Sequence, residues 1–343
     1  MGVYDDSDAA CTADQIRSAW EAGRPVFVPT SGTMGDPRLI EHAPASVEAS
    51  CRAVSAALAV DPDRDRWLAC LPLRHVAGRA ILLRGAISET PVVVHERFDV
   101  AAVAAAAGTC TLVSLVATQL GRLLDAHAPL ERFRAVLLGG GPVPPDLLVR
   151  ARNAGVVVHT TYGLTETFGG CVHDGVGLPG VEIRLDDVSH EILVRGPVLM
   201  RRYVDDAPAT RAAFTDDGWL RTGDVGSLDN AGRVRVVDRI KDLVITGGVN
   251  VSPVAVERVL AEHPGVADVC VVGASDPEWG ERVVAWVVPA PPKAAPTLAE
   301  LRAFGRDRLA AAELPREVRL VGAVPRTPGG KPLRRLLRDA RAR

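Results

Sequence analysis

The 343-residue sequence has no apolar run near the ~18 residues that mark a membrane span. It has no excess of one charge: 40 Lys and Arg stand against 42 Asp and Glu, a formal net charge of −2. That balance excludes the broad basic footprint of a nucleic-acid binder or of a protein drawn to an anionic membrane. The basic tail LRRLLRDARAR is a local exception and reads as a solvated helix face. None of the six cysteines (Cys11, Cys51, Cys70, Cys110, Cys171 and Cys270) forms a C-x-x-C pair. A chain of this length needs no disulfide staples, so reduced, packed thiols in a cytoplasmic protein are expected. The opening MGVYDDSDAACTADQ is acidic and lacks the apolar core of a signal peptide. No internal repeat is present.

What is there is a chain of ordinary globular composition, 47% apolar and 24% charged, long enough for two domains. Up to about residue 238, short β-rich runs alternate with Ala/Leu-rich helical stretches. PVFVPT, RWLACLP, TPVVVHE, CTLVSLV, RAVLLGGG and GVVVHTTYG are the strands. This alternation predicts a largely parallel sheet with covering helices, whose ligands sit at the carboxyl ends of the strands. From about residue 182 the strands become closely spaced and predict an antiparallel hairpin subdomain. After Arg239, helix and strand patterns predict a small α+β unit of about 100 residues. The expected fold is therefore α/β: a large N-terminal domain (1–238) with mixed and parallel sheets, and a small α+β C-terminal domain (239–343).

The loops leaving these strands carry the chemistry. VPTSGTMGDPR sets Thr30, Ser31, Gly32, Thr33 and Gly35 after a β-branched run and ends on Arg38. Small hydroxyl residues between glycines suit a phosphate chain. The spacing is not that of a Walker loop, because Asp36-Pro37-Arg38 replaces Gly-Lys-Ser. GVGLPG (175–180) matches G-x-G-x-x-G but has no strand before it. Gly139, Gly140 and Gly141 follow a strand, which serves close approach to a flat ligand or a tight strand-to-helix turn equally. In TTYGLTETFGG, Tyr162 offers a flat face, Thr165 a hydroxyl and Glu166 a hard carboxylate suited to magnesium. Asp224, between glycines in GWLRTGDVG, is either a ribose acceptor or a turn aspartate. DRIKDLVITGGVN adds Arg239, Lys241 and a Gly247–Gly248 pair, and PRTPGGK puts Lys331 on a Pro/Gly loop.

Five motifs in this order, TSGTMGDPR, YGLTE, GWLRTGD, DRIKDLVITGGVN and PRTPGGK, resemble the adenylate-forming superfamily of acyl- and aryl-CoA ligases, adenylation domains and luciferases. The resemblance covers residues 26 to 335. Arg38 stands where the family loop usually carries lysine, which keeps the charge. The chain is short beside the longer members, like the compact o-succinylbenzoate–CoA ligases of menaquinone biosynthesis. LPLRHVAGRAILLRG (71–85), SLVATQLGRLL (114–124) and LLGGGPVPPDLL (137–148) add local likeness to that subfamily.

The resemblance implies a two-step reaction using ATP, magnesium and coenzyme A. A carboxylate attacks the α-phosphate to give an acyl-adenylate, and the thiol of coenzyme A then displaces AMP. By the same resemblance Lys331 bridges carboxylate and α-phosphate, Glu166 holds magnesium and Thr165 meets a phosphate oxygen. Thr30 to Arg38 grip the outer phosphates, and Asp224 and Arg239 hold the ribose. Gly139 to Gly141 and Tyr162 frame adenine and acyl group. Lys241 is the hinge of a mobile C-terminal domain. Gly247 and Gly248 face the pantetheine tunnel, which His75 gates. The unreacted ring carboxylate of o-succinylbenzoate needs a buried polar partner. Arg79, Arg84, Ser114 and Gly140 are the candidates, with a surface position for either arginine equally open. Another aryl or fatty acid, a carrier protein as acceptor, and a nucleotide-binding protein without catalysis are the competing readings. The expected partners are small molecules, with room for a homodimer.

Overall fold

Runs of Val, Leu and Ala buried on both faces build the main sheet. In a computed structural model describing residues 12–30, 38–291, 294–326 and 332–338, the chain divides into two units. One is Met1–Arg184 with Leu193–Thr222 and Asp229–Val234; the other is Leu185–Ile192 with Gly223–Leu228 and Arg235–Arg343. In the first unit, seven strands lie in the order Val92–Val94, Trp67–Ala69, Leu112–Val116, Ala135–Gly139, Val158–Leu164, Gly169–His173 and Val176–Gly177. The first five run parallel, as the alternation predicts, and the last two add antiparallel. Side chains of successive residues go to opposite faces. Trp67, Leu112 and Leu137 join one core, while Leu68, Val113, Val136 and Leu138 join the other.

The helices follow their sequence patterns. Pro44–Ala57 begins with proline in its first turn and buries Val47, Ser50, Cys51 and Val54, one stripe at helical spacing. Val76–Ile87 has no stripe at all: every residue from Gly78 to Gly85 is buried, two arginines included. A helix apolar all round belongs inside a core.

PVFVPT departs from the expected pattern. Val26–Pro29 is a strand, but it lies outside the parallel sheet. It pairs antiparallel with Leu39–His42, which in turn pairs with Arg202–Tyr203. Thr30 N–H donates to the Arg38 carbonyl at 2.8 Å, and Arg38 N–H to Thr30 Oγ1 at 3.0 Å. Thr30 and Arg38 are thus held side by side at the ends of an antiparallel strand pair. Buried Glu41 fixes this small sheet by accepting from Arg201 at 2.9 Å and Arg202 at 2.7 Å.

Four closely spaced strands follow, Glu182–Leu185, Glu191–Arg195, Leu220–Leu228 and Val234–Arg239, neighbours in that order. The second unit contains a five-stranded sheet of Val249–Val251, Val244–Thr246, Gly280–Pro289, Val266–Asp276 and Glu317–Leu320. The helices Pro253–Ala261 and Leu298–Gly305 supply Val256, Leu260 and Leu301 to the core on one face of this sheet. Thr297 and Glu300 form a reciprocal cap on the second helix. Cys51, Cys70, Cys110, Cys171 and Cys270 are free and buried. Among the described residues no helix is long and apolar enough to cross a membrane.

Candidate active site

In the first unit Gly139, Tyr162, Thr165 and Glu166 lie at the carboxyl ends of parallel strands, where such sheets bind ligands. His75 and Arg79 follow Trp67–Ala69, Ser114 lies in Leu112–Val116, and Gly139 ends its own strand. Tyr162, Thr165 and Glu166 close the next strand and its 3₁₀ turn, Thr165–Thr167. A Cβ on Gly139 would sit 2.6 Å from Thr161 Cγ2, so only glycine allows these strands their spacing. Gly140 has φ +84°, and Gly140 and Gly141 are exposed.

The turn carrying Thr165 and Glu166 is held from three directions. His42 Nε2 donates to the Thr165 carbonyl at 2.8 Å. A carbonyl can only accept, so neutral His42 carries its proton on Nε2. Burial pulls its pKa down to about 4, against the Thr165 hydrogen bond, which raises it. Met200 N–H donates to the Glu166 carbonyl at 2.8 Å. The hydroxyl of Tyr203 donates to Glu166 Oε1 at 2.8 Å. The guanidinium of Arg38 lies 5.1 Å from the Tyr203 ring centroid and 3.4 Å from Asp206 Oδ2. Tyr203 and His42 carry no motif of their own; only their contacts reveal them.

The two arginines of helix Val76–Ile87 differ. Arg79 Nε donates to the Leu73 carbonyl at 2.8 Å and Nη1 to that of Phe27, so this side chain ties loop to strand. Arg84 is 4% exposed, and among the described residues it has no acidic partner and its Nε and Nη1 find no hydrogen bond. Its guanidinium lies 4.8 Å from the Trp67 ring centroid. Burial holds its pKa below the usual arginine value. Both ring nitrogens of buried His173 and the hydroxyl of buried Ser114 also find no hydrogen bond among the described residues. Burial, reinforced by the charge of Arg84, pulls His173 down to about 4. His75, exposed, occupies the N-cap of the helix without making a side-chain cap.

In the second unit Asp224 is buried, and its Oδ1 meets Arg239 Nε at 2.6 Å. The Gly223 N–H beside it donates to Glu191 Oε1 at 2.8 Å. Lys241 is exposed on the 3₁₀ turn Ile240–Asp242, and its carbonyl accepts from Arg338 Nη1 at 3.3 Å. Gly247 and Gly248 have φ +57° and +79° and join two antiparallel strands, a two-residue turn that demands positive φ at both positions. Ser31, Gly32, Thr33, Gly35 and Lys331 lie outside the described residues.

Among the described residues no group of three or more His, Cys, Asp or Glu is placed to hold a metal. Glu166, with Oε2 outside any hydrogen bond among those residues, still fits magnesium. That ion is commonly held by one or two carboxylates, several waters and substrate phosphates.

A family model described as AMP-binding enzyme matches residues 8–204, and one described as AMP-binding enzyme C-terminal domain matches 255–331. The 2-succinylbenzoate–CoA ligase of Bacillus subtilis (strain 168) is 38% identical over 336 residues, covering 91% of this chain and 68% of that protein. The probable 2-succinylbenzoate–CoA ligase of Mycobacterium tuberculosis (strain ATCC 25618 / H37Rv) is 37% identical over 318 residues, 89% of this chain and 82% of that one. The solved o-succinylbenzoate CoA synthetase from Bacillus subtilis, in complex with its acyl-adenylate intermediate, superposes with a TM-score of 0.83 at 35% identity, covering 92% of this chain and 69% of that one. ATP-bound MatB from Rhodopseudomonas palustris gives 0.83 at 27% identity, covering 91% and 67%. Sequence motifs, fold and both family models agree: the chain belongs to the AMP-binding enzyme family.

Proposed function

We propose that this protein is an AMP-forming acid–CoA ligase that converts o-succinylbenzoate, ATP and CoA to o-succinylbenzoyl-CoA, AMP and pyrophosphate in menaquinone biosynthesis. The observation that carries the choice of acid is Arg84. A buried cation without an anionic partner costs several kcal/mol, and a second carboxylate on the substrate relieves that cost on binding. The names of the relatives support the same acid.

In this reading the succinyl carboxylate attacks the α-phosphate while the ring carboxylate rests on Arg84, beside Ser114. Thr30 to Arg38 hold the outer phosphates, Thr165 meets a phosphate oxygen, and Asp224 with Arg239 takes the ribose. Tyr162 and Gly139 to Gly141 frame adenine and acyl group. Glu166 carries magnesium, which when bound neutralises charge gathering on the phosphates. Lys331 supplies a cation to the first half-reaction. His75, Gly247 and Gly248 serve the pantetheine arm in the second. The domains are 1–238 and 239–343, with Lys241 as the hinge between half-reactions, and the enzyme works in the cytoplasm.

An acid panel tests the assignment by acid-dependent exchange of labelled pyrophosphate into ATP, followed by capture of the CoA thioester. o-Succinylbenzoate should exceed benzoate and long-chain fatty acids in kcat/KM. A higher value for benzoate overturns the choice of acid; failure to exchange with every acid tried overturns catalysis.

A further inference from the structure

Glu166 and Arg38 lie far apart in sequence and are read as serving different parts of one nucleotide, the metal and the outer phosphates. A single side chain touches both. The hydroxyl of Tyr203 donates to Glu166 Oε1 at 2.8 Å, and its ring lies 5.1 Å from the guanidinium of Arg38. The Tyr203 backbone is fixed independently of those contacts. Tyr203 pairs with Ile40 in the strand that leaves the phosphate-type loop, and its N–H donates to Thr210 Oγ1 at 3.0 Å. The segment before it also holds the Glu166 turn, through Met200 N–H at 2.8 Å. Tyr203 is buried. A phenol carries its proton at neutral pH, so it stands as a donor to the carboxylate.

We propose that Tyr203 is a positioning residue for the metal site. Its hydroxyl occupies Oε1 of Glu166 and orients the carboxylate, leaving Oε2 for the divalent cation that accompanies ATP. Its ring fixes Arg38 relative to that carboxylate, so Arg38 and the metal ligand share one anchor. A hydrogen bond to an ionised carboxylate is stronger than a neutral one and favours the charged form. Partners of this kind, which orient a ligand without touching the metal, typically matter by 10- to 100-fold in metal affinity. The inference rests on Glu166 as the metal ligand.

The test uses the full chain with Mn2+ as the probe and α,β-methylene-ATP as the nucleotide, free Mn2+ being counted by its EPR signal. Tyr203→Phe keeps the ring beneath Arg38 and both backbone anchors, and the melting curve verifies that it folds. We expect the Kd for Mn2+ in the ternary complex to rise about tenfold, the lower end for loss of an orienting partner. The magnesium concentration for half-maximal adenylation should rise by a like factor, with KM for the acid unchanged. Glu166→Gln should weaken Mn2+ binding at least as much, and adding Tyr203→Phe to it should change nothing further, since the two residues act as one unit. If Glu166→Gln leaves Mn2+ binding intact, the metal assignment of Glu166 falls and the role of Tyr203 with it. If Glu166→Gln weakens binding but Tyr203→Phe leaves it within twofold, or if the two effects simply add, the role proposed for Tyr203 alone is overturned.

Discussion

Replacing Arg84 by methionine should move stability and catalysis in opposite directions. The guanidinium is buried, pairs with no carboxylate, and leaves Nε and Nη1 without hydrogen bonds among the described residues. Its guanidinium lies over the face of Trp67, 4.8 Å away, a contact worth about 2 kcal/mol when desolvated. Methionine fills similar space without the charge. Replacing buried charges by well-packed apolar groups is often neutral or stabilising by about 1–4 kcal/mol, so urea unfolding of the free enzyme should show a gain in that range. Catalysis should lose instead. Removing one member of a buried charge pair costs about 3–5 kcal/mol, which at 1.36 kcal/mol per tenfold is roughly 150- to 5,000-fold in kcat/KM for o-succinylbenzoate. The control is the same acid without its ring carboxylate, 4-oxo-4-phenylbutanoate, which should be used equally by both enzymes. Equal losses with the two acids would refute Arg84 as the reader of that carboxylate. Loss of stability beyond 1 kcal/mol, on the order of one lost hydrogen bond, would show that the guanidinium is satisfied in the free protein.

Lys331→Ala should slow adenylate formation by roughly 10²- to 10³-fold, as expected when a preorganised cation at a transition state is lost. It should barely alter thioester formation from supplied acyl-adenylate, and single-turnover kinetics showing equal loss in both halves would sink a role confined to adenylation. Lys241→Pro fixes φ at the proposed hinge and should do the reverse, slowing thioester formation more than adenylation in the same assay. His42 and His173 titrate at about 4 in the folded state against 6.5 in the unfolded chain. Between those values the unfolded chain binds more protons, so their contribution is complete above pH 6.5 and is lost as pH falls towards 4. Each accounts for about 3 kcal/mol over that window. Urea midpoints should therefore drop between pH 7 and pH 5, above the range where carboxylates titrate, and His42→Gln or His173→Gln should each flatten the slope.

The order of elements and the places of the loops follow from the sequence alone. Val, Leu and Ala runs such as AVLLG can only be strands covered on both faces, and helical stretches between them force parallel connections. Binding loops then lie at one end of the sheet, where Gly139, Tyr162 and Thr165 do lie. The Gly247–Gly248 pair between short β-branched runs likewise marks its own turn. Cysteine spacing and length pointed to packed thiols, and the five described ones are buried.

Which polar groups meet was decided by the tertiary structure. Arg79 and Arg84 sit five residues apart on one helix, so they point about 140° away from each other. A helix buried all round carries no stripe from which to tell their surroundings. Only the fold sends Arg79 to the carbonyls of Leu73 and Phe27 and leaves Arg84 against Trp67 without an anion. Tyr203 reaches Glu166 across 37 residues, and Arg239 reaches the carboxylate of Asp224. Local pattern records what each segment buries, because burial follows the period of its own backbone. Partnerships between charges depend on how separate segments pack, and no period within one segment encodes that.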